Sequence, residues 1–345
     1  MSDTLAAPQD AWGEQTTAPR EAGELPFQFN GDGFEFFRIW IVNLLLSIVT
    51  LGIYSAWAKV RTQRYFYGST RLAGSSFDYL ANPLTILKGR LIAFACLVAY
   101  SVANQVSVGV SLVATLLFLL VLPWMLVRGL AFRNHNSAWR GVRFGFDGTY
   151  GGAAMAFLLW PLLGVLSAGL LMPLAIQRQQ RFIADHSRFG TTRFALQVGV
   201  GPFYLAFLLV LGIGVLGGLV AALLGAALPP LVPLAMMLVY LVLFAFISVR
   251  MTNLTYGNLH LGGSRLRSRY GLGSYMWLMA SNLIGMVLTL GLFYPWARVR
   301  TARYAAEHIS LEAGDDLDGF VAAQQKEVSS LGGEMAEMFD VGVGL

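Results

Sequence analysis

The residues best suited to chemistry in this sequence are five arginines that recur in one local arrangement. Each follows an apolar run, and an aromatic or large apolar residue usually lies four positions before or after it. Positions four apart share one face of a helix, so each arginine is predicted to lie in a mixed cationic and aromatic stripe. We call these residues, separated by 67, 50, 72 and 50 positions, the anchor arginines: Arg61, Arg128, Arg178, Arg250 and Arg300.

Two kinds of chemistry fit the anchor arginines. Aromatic side chains sit at membrane interfaces and arginines beside an apolar span reach up to the head groups, so the stripes predict ordinary membrane anchoring. Alternatively, the five guanidinium groups converge on specific sites for lipid or another anionic ligand. Under either interpretation, the aromatic partners in the stripes are expected to include Trp57, Trp124 and Trp296.

Four histidines follow the anchor arginines at similar distances of 7, 8, 10 and 8 residues. Imidazoles at equivalent places could converge on zinc or another transition metal. The spacing drifts, however, and the first copy has Gly68, Ser69 and Thr70 at this place instead. Polar loop histidines are therefore favoured, and metal binding is the alternative for His135, His186, His260 and His308.

Groups able to carry out catalysis are sparse. No acid lies well inside an apolar run, which argues against a relay of carboxylates in the middle of a membrane. No nucleophile motif, phosphate loop or pair of carboxylates stands out, so the sequence predicts neither an enzyme nor a cofactor. The single cysteine, Cys96, can form no internal disulfide. Two intramembrane amides, Asn43 and Asn282, occupy equivalent places in the first and last units and predict matched helix contacts.

The composition is typical of a membrane protein. Of the 345 residues, 56% are hydrophobic and 12% are charged, and the mean hydropathy is +0.60, whereas a soluble domain carries about 25% charged residues. Residues 26–304 hold 22 Lys and Arg but five acids, while residues 305–345 hold nine acids and one base. The basic region is expected to bind anionic phospholipid rather than nucleic acid, because its bases lie beside apolar spans.

Seven apolar segments predict an all-α polytopic membrane protein, and alternating aromatics predict short interfacial β-strands in addition. One such stretch is Phe-Gly-Phe-Asp-Gly at 144–148, and a related one, Phe-Gln-Phe-Asn-Gly, lies at 27–31. We expect these strands to pair into a small sheet on the membrane surface. The predicted segments are about Phe36–Trp57, Leu91–Ser107, Val108–Val127, Gly151–Ala175, Val200–Ala226, Leu231–Val249 and Ser274–Trp296.

The chain is predicted to have three parts: a polar tail over residues 1–25, a repeat-containing transmembrane domain over 26–304, and an acidic C-terminal tail over 305–345. Internal repetition is indicated because the order of apolar segment, basic stretch and alternating stretch recurs along the chain. Residues 1–25 lack a basic region followed by an apolar core, so no cleavable signal peptide is expected.

The repeats create a conflict in topology. Similar copies should place their basic stretches on one face, which the positive-inside rule makes cytoplasmic. Counting seven spans, however, puts the basic stretches after the fourth and sixth spans on the opposite face. Two resolutions stay open. In the first, Phe36–Trp57, Gly151–Ala175 and Ser274–Trp296 are re-entrant hairpins. In the second, the repeats are inverted, as in many transporters.

Several stretches resemble the YjgN-like bacterial inner-membrane proteins. They are Phe-Gln-Phe-Asn-Gly at 27–31, Leu-Gly-Ile-Tyr-Ser-Ala-Trp-Ala-Lys-Val-Arg at 51–61, Arg-Tyr-Phe-Tyr-Gly at 64–68 and Ile-Leu-Lys-Gly-Arg at 86–90. The resemblance covers residues from about 25 to 305 and implies a multi-pass protein of the bacterial inner membrane. That family has no known function, so the resemblance supplies no catalytic or binding residues.

Two classes of function remain open, of which transport is the prediction and a non-transport role is the alternative. Internal repeats and many spans favour a transporter or channel for a small or anionic solute. The basic interfacial stripes and the lack of charges in the middle of the spans favour a protein that binds anionic lipid or organises an envelope complex. A polar cavity reaching the membrane midplane would favour the first class, and a closed core would favour the second.

Overall fold

The computed structural model describes residues 23–314 and 316–340, with the side chains of the last helix described through Val328. The predicted polar tail therefore falls largely outside the described residues. The first strand begins at Glu24, just inside the range predicted as that tail.

Pairs of helices joined by a short turn occur five times in the described part of the chain, and we call them helical hairpins. Helices of the second and fourth hairpins have 24–28 residues, and those of the other three are shorter. A π-helical turn, Met155–Leu159, precedes Pro161, whose missing N–H cannot bond the preceding turn. The helices are α1 (Gly33–Val49), α2 (Ser55–Ser69), α3 (Pro83–Val106), α4 (Val108–His135), α5 (Tyr150–Ala154), α6 (Trp160–Leu166), α7 (Met172–Asp185), α8 (Gly201–Ala227), α9 (Val232–Tyr256), α10 (Leu272–Leu288), α11 (Tyr294–His308) and α12 (Leu317–Asp340).

Strands between the hairpins form one antiparallel sheet of eleven strands in the described residues. Two of the tight turns, Ala73-Gly74 and Arg140-Gly141, have positive φ at both positions, as two-residue strand turns of the type I′ kind require. The strands are β1 (Glu24–Pro26), β2 (Gln28–Phe29), β3 (Thr70–Leu72), β4 (Ser75–Tyr79), β5 (Ser137–Trp139), β6 (Val142–Phe146), β7 (Ser187–Phe189), β8 (Thr192–Leu196), β9 (Leu259–Leu261), β10 (Ser264–Ser268) and β11 (Ile309–Glu312).

The two edges of the sheet belong to one continuous stretch of chain. The strand order is β1-β11-β10-β9-β8-β7-β6-β5-β4-β3-β2. Strand β1 pairs with β11 near the C-terminus, and β2 pairs with β3. Between β1 and β2, the Phe27 N–H donates to the Ile309 carbonyl oxygen at 3.3 Å. Residues 24–29 therefore close the sheet into a nearly complete barrel.

Apolar side chains fill the interior of this barrel. Trp139 and Phe189 are buried with their ring centroids 6.0 Å apart, and Phe144 lies 5.1 Å from Phe189. Helix α12 contributes the buried Val321 to the same cluster. The other members are Leu72, Val142 and Leu311, with Leu25, Phe27, Ala73, Phe77, Phe194, Leu261, Leu266, Leu317 and Phe320 packed against them.

The predicted fold class is wrong in two respects. Four helices of the described chain are long and apolar enough to cross a membrane, namely α3, α4, α8 and Pro229–Tyr256, which contains α9. Three of the predicted segments run through the first helix of a helical hairpin and its turn into the start of the second helix, because the apolar run continues through the turn. They are Phe36–Trp57, Gly151–Ala175 and Ser274–Trp296. The strands form an eleven-stranded, barrel-like sheet rather than a small surface sheet added to an all-α protein.

The three shorter hairpins share one turn chemistry. A hydroxyl residue follows the first helix, the next residue has φ near +50°, and a glycine follows with φ near +90°. The hydroxyl oxygen accepts a backbone N–H from four residues on, so the turn satisfies its own polar groups, as a turn in hydrocarbon must. These bonds, each 2.9 Å long, join Tyr54 N to Thr50 Oγ1, Leu171 N to Ser167 Oγ and Phe293 N to Thr289 Oγ1.

Neighbouring hairpins pack side by side around the barrel. The second helix of each hairpin contacts the first helix of the next, in the pairs α2–α3, α4–α5, α7–α8, α9–α10 and α11–α1. Every hairpin begins and ends at the sheet, so all five anchor arginines lie on the sheet side of the molecule. Inverted repeats would place some of them on the opposite side. The arrangement therefore does not fit inverted repeats.

Candidate anion-binding site

The anchor arginines occupy one level of the molecule. Each lies on the second helix of its hairpin, six to eight residues before that helix ends at the sheet. At 1.5 Å per residue, this places them about 9–12 Å along the helix axis from the barrel. The backbones of the five anchor arginines thus lie at one level, between the apolar ends of the hairpins and the sheet.

The anchor arginines make no ion pair with a carboxylate of the described residues. Arg61, Arg128 and Arg178 are also exposed. A cation that lacks a protein carboxylate beside an apolar helix is available to an anion from outside the chain, such as a lipid head group. The ion pairs of the described chain instead involve Arg140, Arg181, Arg193, Arg265, Arg267 and Arg269.

Two anchor arginines lie over an aromatic ring four residues earlier, as the predicted stripe requires. The guanidinium carbon of Arg128 is 5.9 Å from the centroid of Trp124, and that of Arg250 is 6.0 Å from the centroid of Phe246. An aromatic face attracts the cation without using its N–H donors. Those donors remain free for an anion.

Trp57 and Trp296 serve packing between elements instead. Trp57 borders the buried cluster that includes Val60. Trp296 lies 5.1 Å from Phe37 of α1, measured between ring centroids. A Cβ on Gly33 would come within 2.3 Å of Trp296 Cδ1, so the first and fifth hairpins meet closely there. Within the described residues, neither ring shows the predicted stacking on its anchor arginine.

In two of the shorter hairpins, a residue 18 positions before the anchor arginine contacts it. In the fifth hairpin, Arg300 donates to Asn282 Oδ1 at 2.8 Å and to Ser281 Oγ at 2.9 Å. In the third hairpin, the guanidinium carbon of Arg178 lies 5.6 Å from the centroid of Trp160. Both contacts hold the arginine against the first helix of its own hairpin.

The first hairpin lacks this contact. Asn43, 18 positions before Arg61, is 4% exposed, and neither its side-chain oxygen nor its nitrogen has a hydrogen-bond partner among the described residues. Arg61 is exposed and has no described side-chain partner. The predicted match between the two asparagines therefore holds for position and burial but not for bonding. Arg61 is the anchor arginine least restrained by the protein.

The four histidines are not brought together. In His186 and His308, Nδ1 lies 2.9 and 2.8 Å from the carbonyl oxygen four residues earlier. His135 Nε2 lies 3.0 Å from a terminal nitrogen of Arg143, and His260 is on β9. No group of three or more His, Cys, Asp or Glu suited to a metal ion occurs in the described part of the chain. The metal alternative gains no support from this placement.

Charge pairs reinforce the seam where the barrel closes. Glu312 on β11 pairs with Arg265 and Arg267 of β10, and Glu24 on β1 pairs with Arg269 at 3.1 Å. The hydrogen bond from Arg265 is the main cause that lowers the pKa of the Glu312 carboxyl. A carboxyl with a lowered folded-state pKa contributes stability above its unfolded pKa. That stability is lost as the pH falls through the folded value, so the seam is expected to weaken in acid.

A family model described as a bacterial protein of unknown function (DUF898) matches residues 24–338. The match begins at the closing strand β1 and extends into α12, so it contains the whole barrel and every anchor arginine. The chain belongs to this family. The resemblance inferred from residues 25–305 agrees with this assignment.

Relatives of this DUF898 protein are named as inner membrane proteins. YjgN of Salmonella typhimurium is 23% identical over 354 aligned residues, which cover 84% of this chain and 88% of that protein. YjgN proteins of two Escherichia coli strains are 32% identical over 150 and 146 residues, each covering 41% of this chain and 36% of the relative. No solved structure matches. With the four helices that are long and apolar enough to cross a membrane, these relatives confirm a multi-pass inner-membrane protein.

The two equivalent asparagines give this DUF898 protein a matched stability test. An apolar replacement of a buried, unsatisfied amide is expected to stabilise the fold, whereas loss of a bonded amide leaves its partner unpaired. We expect Asn43→Leu to raise the free energy of unfolding by about 1–2 kcal/mol and Asn282→Leu to lower it by about 1–3 kcal/mol. Chemical unfolding in mixed micelles measures both. Changes of the same sign and size would contradict the difference between the two hairpins.

Proposed function

We propose that this protein is a non-transport inner-membrane protein that binds anionic phospholipid through its anchor arginines. One observation carries the proposal: five arginines lie at one level beside apolar helices, without a carboxylate partner among the described residues. Phosphodiester head groups are the anions that a bilayer offers at such a level. The hairpins then lie in the bilayer and the barrel lies on its surface.

The charge distribution supports a barrel on the cytoplasmic side. The stretches 91–127 and 194–249, which form most of the two long hairpins, contain no Lys, Arg, Asp or Glu. The bases lie at the sheet end of every hairpin, and bases next to spans favour the cytoplasmic face. Under this orientation the long hairpins cross the membrane and return. The shorter hairpins have first helices of about 17 residues, or about 25 Å, and turn within the roughly 30 Å hydrocarbon core.

Two apolar cavities support binding of acyl chains beside the head groups. A groove of about 430 Å³ between α8 and α9 is lined only by Ala, Gly, Ile, Leu and Val side chains. A second cavity, of about 420 Å³, lies between the first and fifth hairpins. Its walls include Trp40, Tyr294 and Thr62, and Thr62 directly follows Arg61 in the chain. An acyl chain in this second cavity would place its head group near the least restrained anchor arginine.

Copies of one ancestral unit explain why the anchor arginines share a level. Gln28 lies opposite Arg71 across the closing strands, just as Gly145 lies opposite Arg188 between β6 and β7. The stretch 27–31 thus takes the place in the sheet that 144–148 takes in the second unit. In this proposal the N-terminal strand completes the fifth unit, which contributes only β11 to the sheet before the chain enters α12.

The barrel interior favours this function over a transporter. Within the described residues, its centre is filled by a buried cluster of Trp139, Phe189 and other apolar side chains. A water-filled path through a sheet needs polar lining, and this cluster offers none. Transport of a small or anionic solute therefore stays a prediction of the sequence that the barrel does not support.

A lipid-binding measurement with matched arginine variants tests the proposal. The triple variant Arg61→Gln/Arg128→Gln/Arg178→Gln removes the three exposed anchor charges. Each arginine near a head group contributes about 1 kcal/mol, so we expect phosphatidylglycerol affinity to fall on the order of 100-fold. Binding is followed by native mass spectrometry in neutral detergent, with phosphatidylcholine as the uncharged reference.

The control removes three charges from the sheet instead. Arg143→Gln/Arg193→Gln/Arg265→Gln changes exposed arginines on the strands of the sheet rather than on the helices of the hairpins. This control is expected to keep wild-type lipid affinity. Equal losses in the two triple variants would show only a general charge effect. Wild-type affinity in the anchor variant would disprove the assignment of the site.

A further inference from the structure

Helix α12 closes the barrel end opposite the helical hairpins. Phe320 stacks on Phe189 with ring centroids 6.2 Å apart, and Val321 is 4% exposed within the barrel cluster. Gln324 Oε1 accepts the backbone N–H of Thr191, at a strand turn, at 2.7 Å. The apolar positions 317, 320 and 321 lie on the face that enters the barrel mouth.

Polar contacts at the rim fix the position of this helix. Arg140, in the turn between β5 and β6, pairs with Asp318 at 2.5 Å and accepts a hydrogen bond from Gln325 Nε2 at its carbonyl oxygen. A Cβ on Gly190 would come within 2.4 Å of Gln324 Oε1, so a glycine at this turn makes room for the amide. The mouth is thus shaped for a helix with a particular side-chain pattern.

Charge at the mouth is complementary to the helix. Residues 316–340 hold six acids and one base, while arginines lie within two residues of the strand turns around the rim. The rim arginines are Arg140, which pairs with Asp318 of α12, and Arg143, Arg193 and Arg265, which contact His135, Asp147 and Glu312 instead. Opposite charges across an interface speed encounter and select partners.

The attachment of α12 is short. Side chains from Gln325 to Val328 are exposed, and the described contacts extend as far as Glu327, whose carboxylate accepts a hydrogen bond from the Thr191 hydroxyl at 2.6 Å. Residues 313 and 314 approach the helix without regular structure. A helix held by about three turns can exchange with a competitor of the same chemistry when that competitor exceeds the effective concentration set by the tether.

We propose that the barrel mouth is a docking site for an acidic amphipathic helix of a partner protein, and that α12 occupies this site in cis. The partner helix presents apolar residues at the spacing of 317, 320 and 321, an amide one turn later, and flanking carboxylates. When α12 leaves, Arg140 and the aromatic side chains around Phe189 become the binding surface. The inference is independent of lipid binding, because it concerns the opposite end of the barrel.

A fluorescent peptide of residues 313–340 serves as the probe for the full-length protein in detergent. The variant Phe320→Ala/Gln324→Ala loosens α12, and Val328→Ala, exposed on the same helix, is the matched control. A site occupied in cis has an apparent affinity reduced by the fraction that is free. We expect the double variant to bind the peptide about tenfold or more tightly than the wild type and the control.

A second full-length variant covers failure of the first to fold. In a Cys96→Ala background, Thr191→Cys/Gln324→Cys places thiols where the turn meets α12. Oxidation is expected to lock the helix and abolish peptide binding, and reduction is expected to restore it. Peptide binding that is the same in wild type, loosened and locked proteins would overturn the proposal, as would no binding to any of them. Strong inhibition by 0.5 M salt, where screening extends to a few ångströms, is a further expected result.

Discussion

Phe189→Ala is expected to lower the free energy of unfolding by about 3–5 kcal/mol, the usual cost of truncating a buried aromatic ring. Phe189 is 2% exposed and lies at the centre of the barrel. Its ring is 6.0 Å from Trp139, 5.1 Å from Phe144 and 6.2 Å from Phe320, measured between centroids. These neighbours come from two other strands and from α12, so paired strands limit their collapse into the cavity. Chemical unfolding in mixed micelles, followed by circular dichroism, measures the loss.

Phe94→Ala is the matched control for this variant. Phe94 lies on α3 and is 65% exposed, and detergent or lipid replaces the contacts that its ring makes. Its removal is expected to change the free energy of unfolding by about 0.5 kcal/mol or less. Comparable losses from the two truncations would contradict a stability core inside the barrel.

Phe27→Pro is expected to open the barrel at its seam. Proline has no N–H, so the Ile309 carbonyl oxygen loses its bond, and the ring stacked 6.1 Å from Phe77 is lost as well. An unsatisfied carbonyl and the loss of a partly buried aromatic ring together cost about 3 kcal/mol or more. Hydrogen exchange is expected to accelerate at 24–29 and at the paired strand 309–312, and thermal unfolding is expected to begin earlier.

Phe27→Leu separates the backbone from the side chain in this experiment. Leucine keeps the N–H and most of the apolar volume, so exchange at 309–312 is expected to stay near wild type, with a stability loss of about 1 kcal/mol. Rapid exchange in both variants would assign the effect to the ring. Slow exchange in the proline variant would show that residues 24–29 do not close the sheet.

The membrane class and the alternating strand stretches were predictable because each depends on a local pattern. The likeness of 27–31 to 144–148 was visible in the sequence, and the structure gives them matching positions. The closure itself joins Pro26 to Ser310, a separation of nearly the whole chain. Pairing over such a distance leaves no periodic signal, so the barrel could not be predicted from the residues alone.

The shorter hairpins carried a signal that hydropathy hides. Thr50, Ser167 and Thr289 each stand two residues before a glycine with φ near +90°, and each caps the turn with its hydroxyl. Leu51 and its counterparts at 168 and 290 keep the run apolar, so a window average continues across the turn. A hydroxyl residue, an apolar residue and a glycine recur in this order, and the hydroxyl residue always lies 11 positions before the anchor arginine. This pattern would have located all three turns.

Helix α12 and the contacts of the anchor arginines were not predicted, for different reasons. Leu317, Phe320, Val321 and Gln324 follow helical spacing, but the many acids around them pointed to a tail. The partners of the anchor arginines, such as Asn282 for Arg300, lie across a helical hairpin and depend on its turn. Only the fold places them together.

Thiol labelling in oriented membranes tests most directly that the hairpins start from one cytoplasmic sheet and that the long ones cross the membrane. Each variant carries a single cysteine in a Cys96→Ala background. Its reaction with an impermeant thiol reagent shows which side of the membrane that position faces. The sheet variants are Asp78→Cys, Arg143→Cys, Arg193→Cys and Gly263→Cys, and the long-hairpin tip variants are Val108→Cys and Leu228→Cys, all at exposed positions.

All four sheet variants are expected to react only from the cytoplasmic side, and both tip variants only from the periplasmic side. This result is expected because the hairpins begin and end at one sheet and the basic residues beside it favour the cytoplasmic side. Sheet positions that label from opposite sides of the membrane would contradict the arrangement.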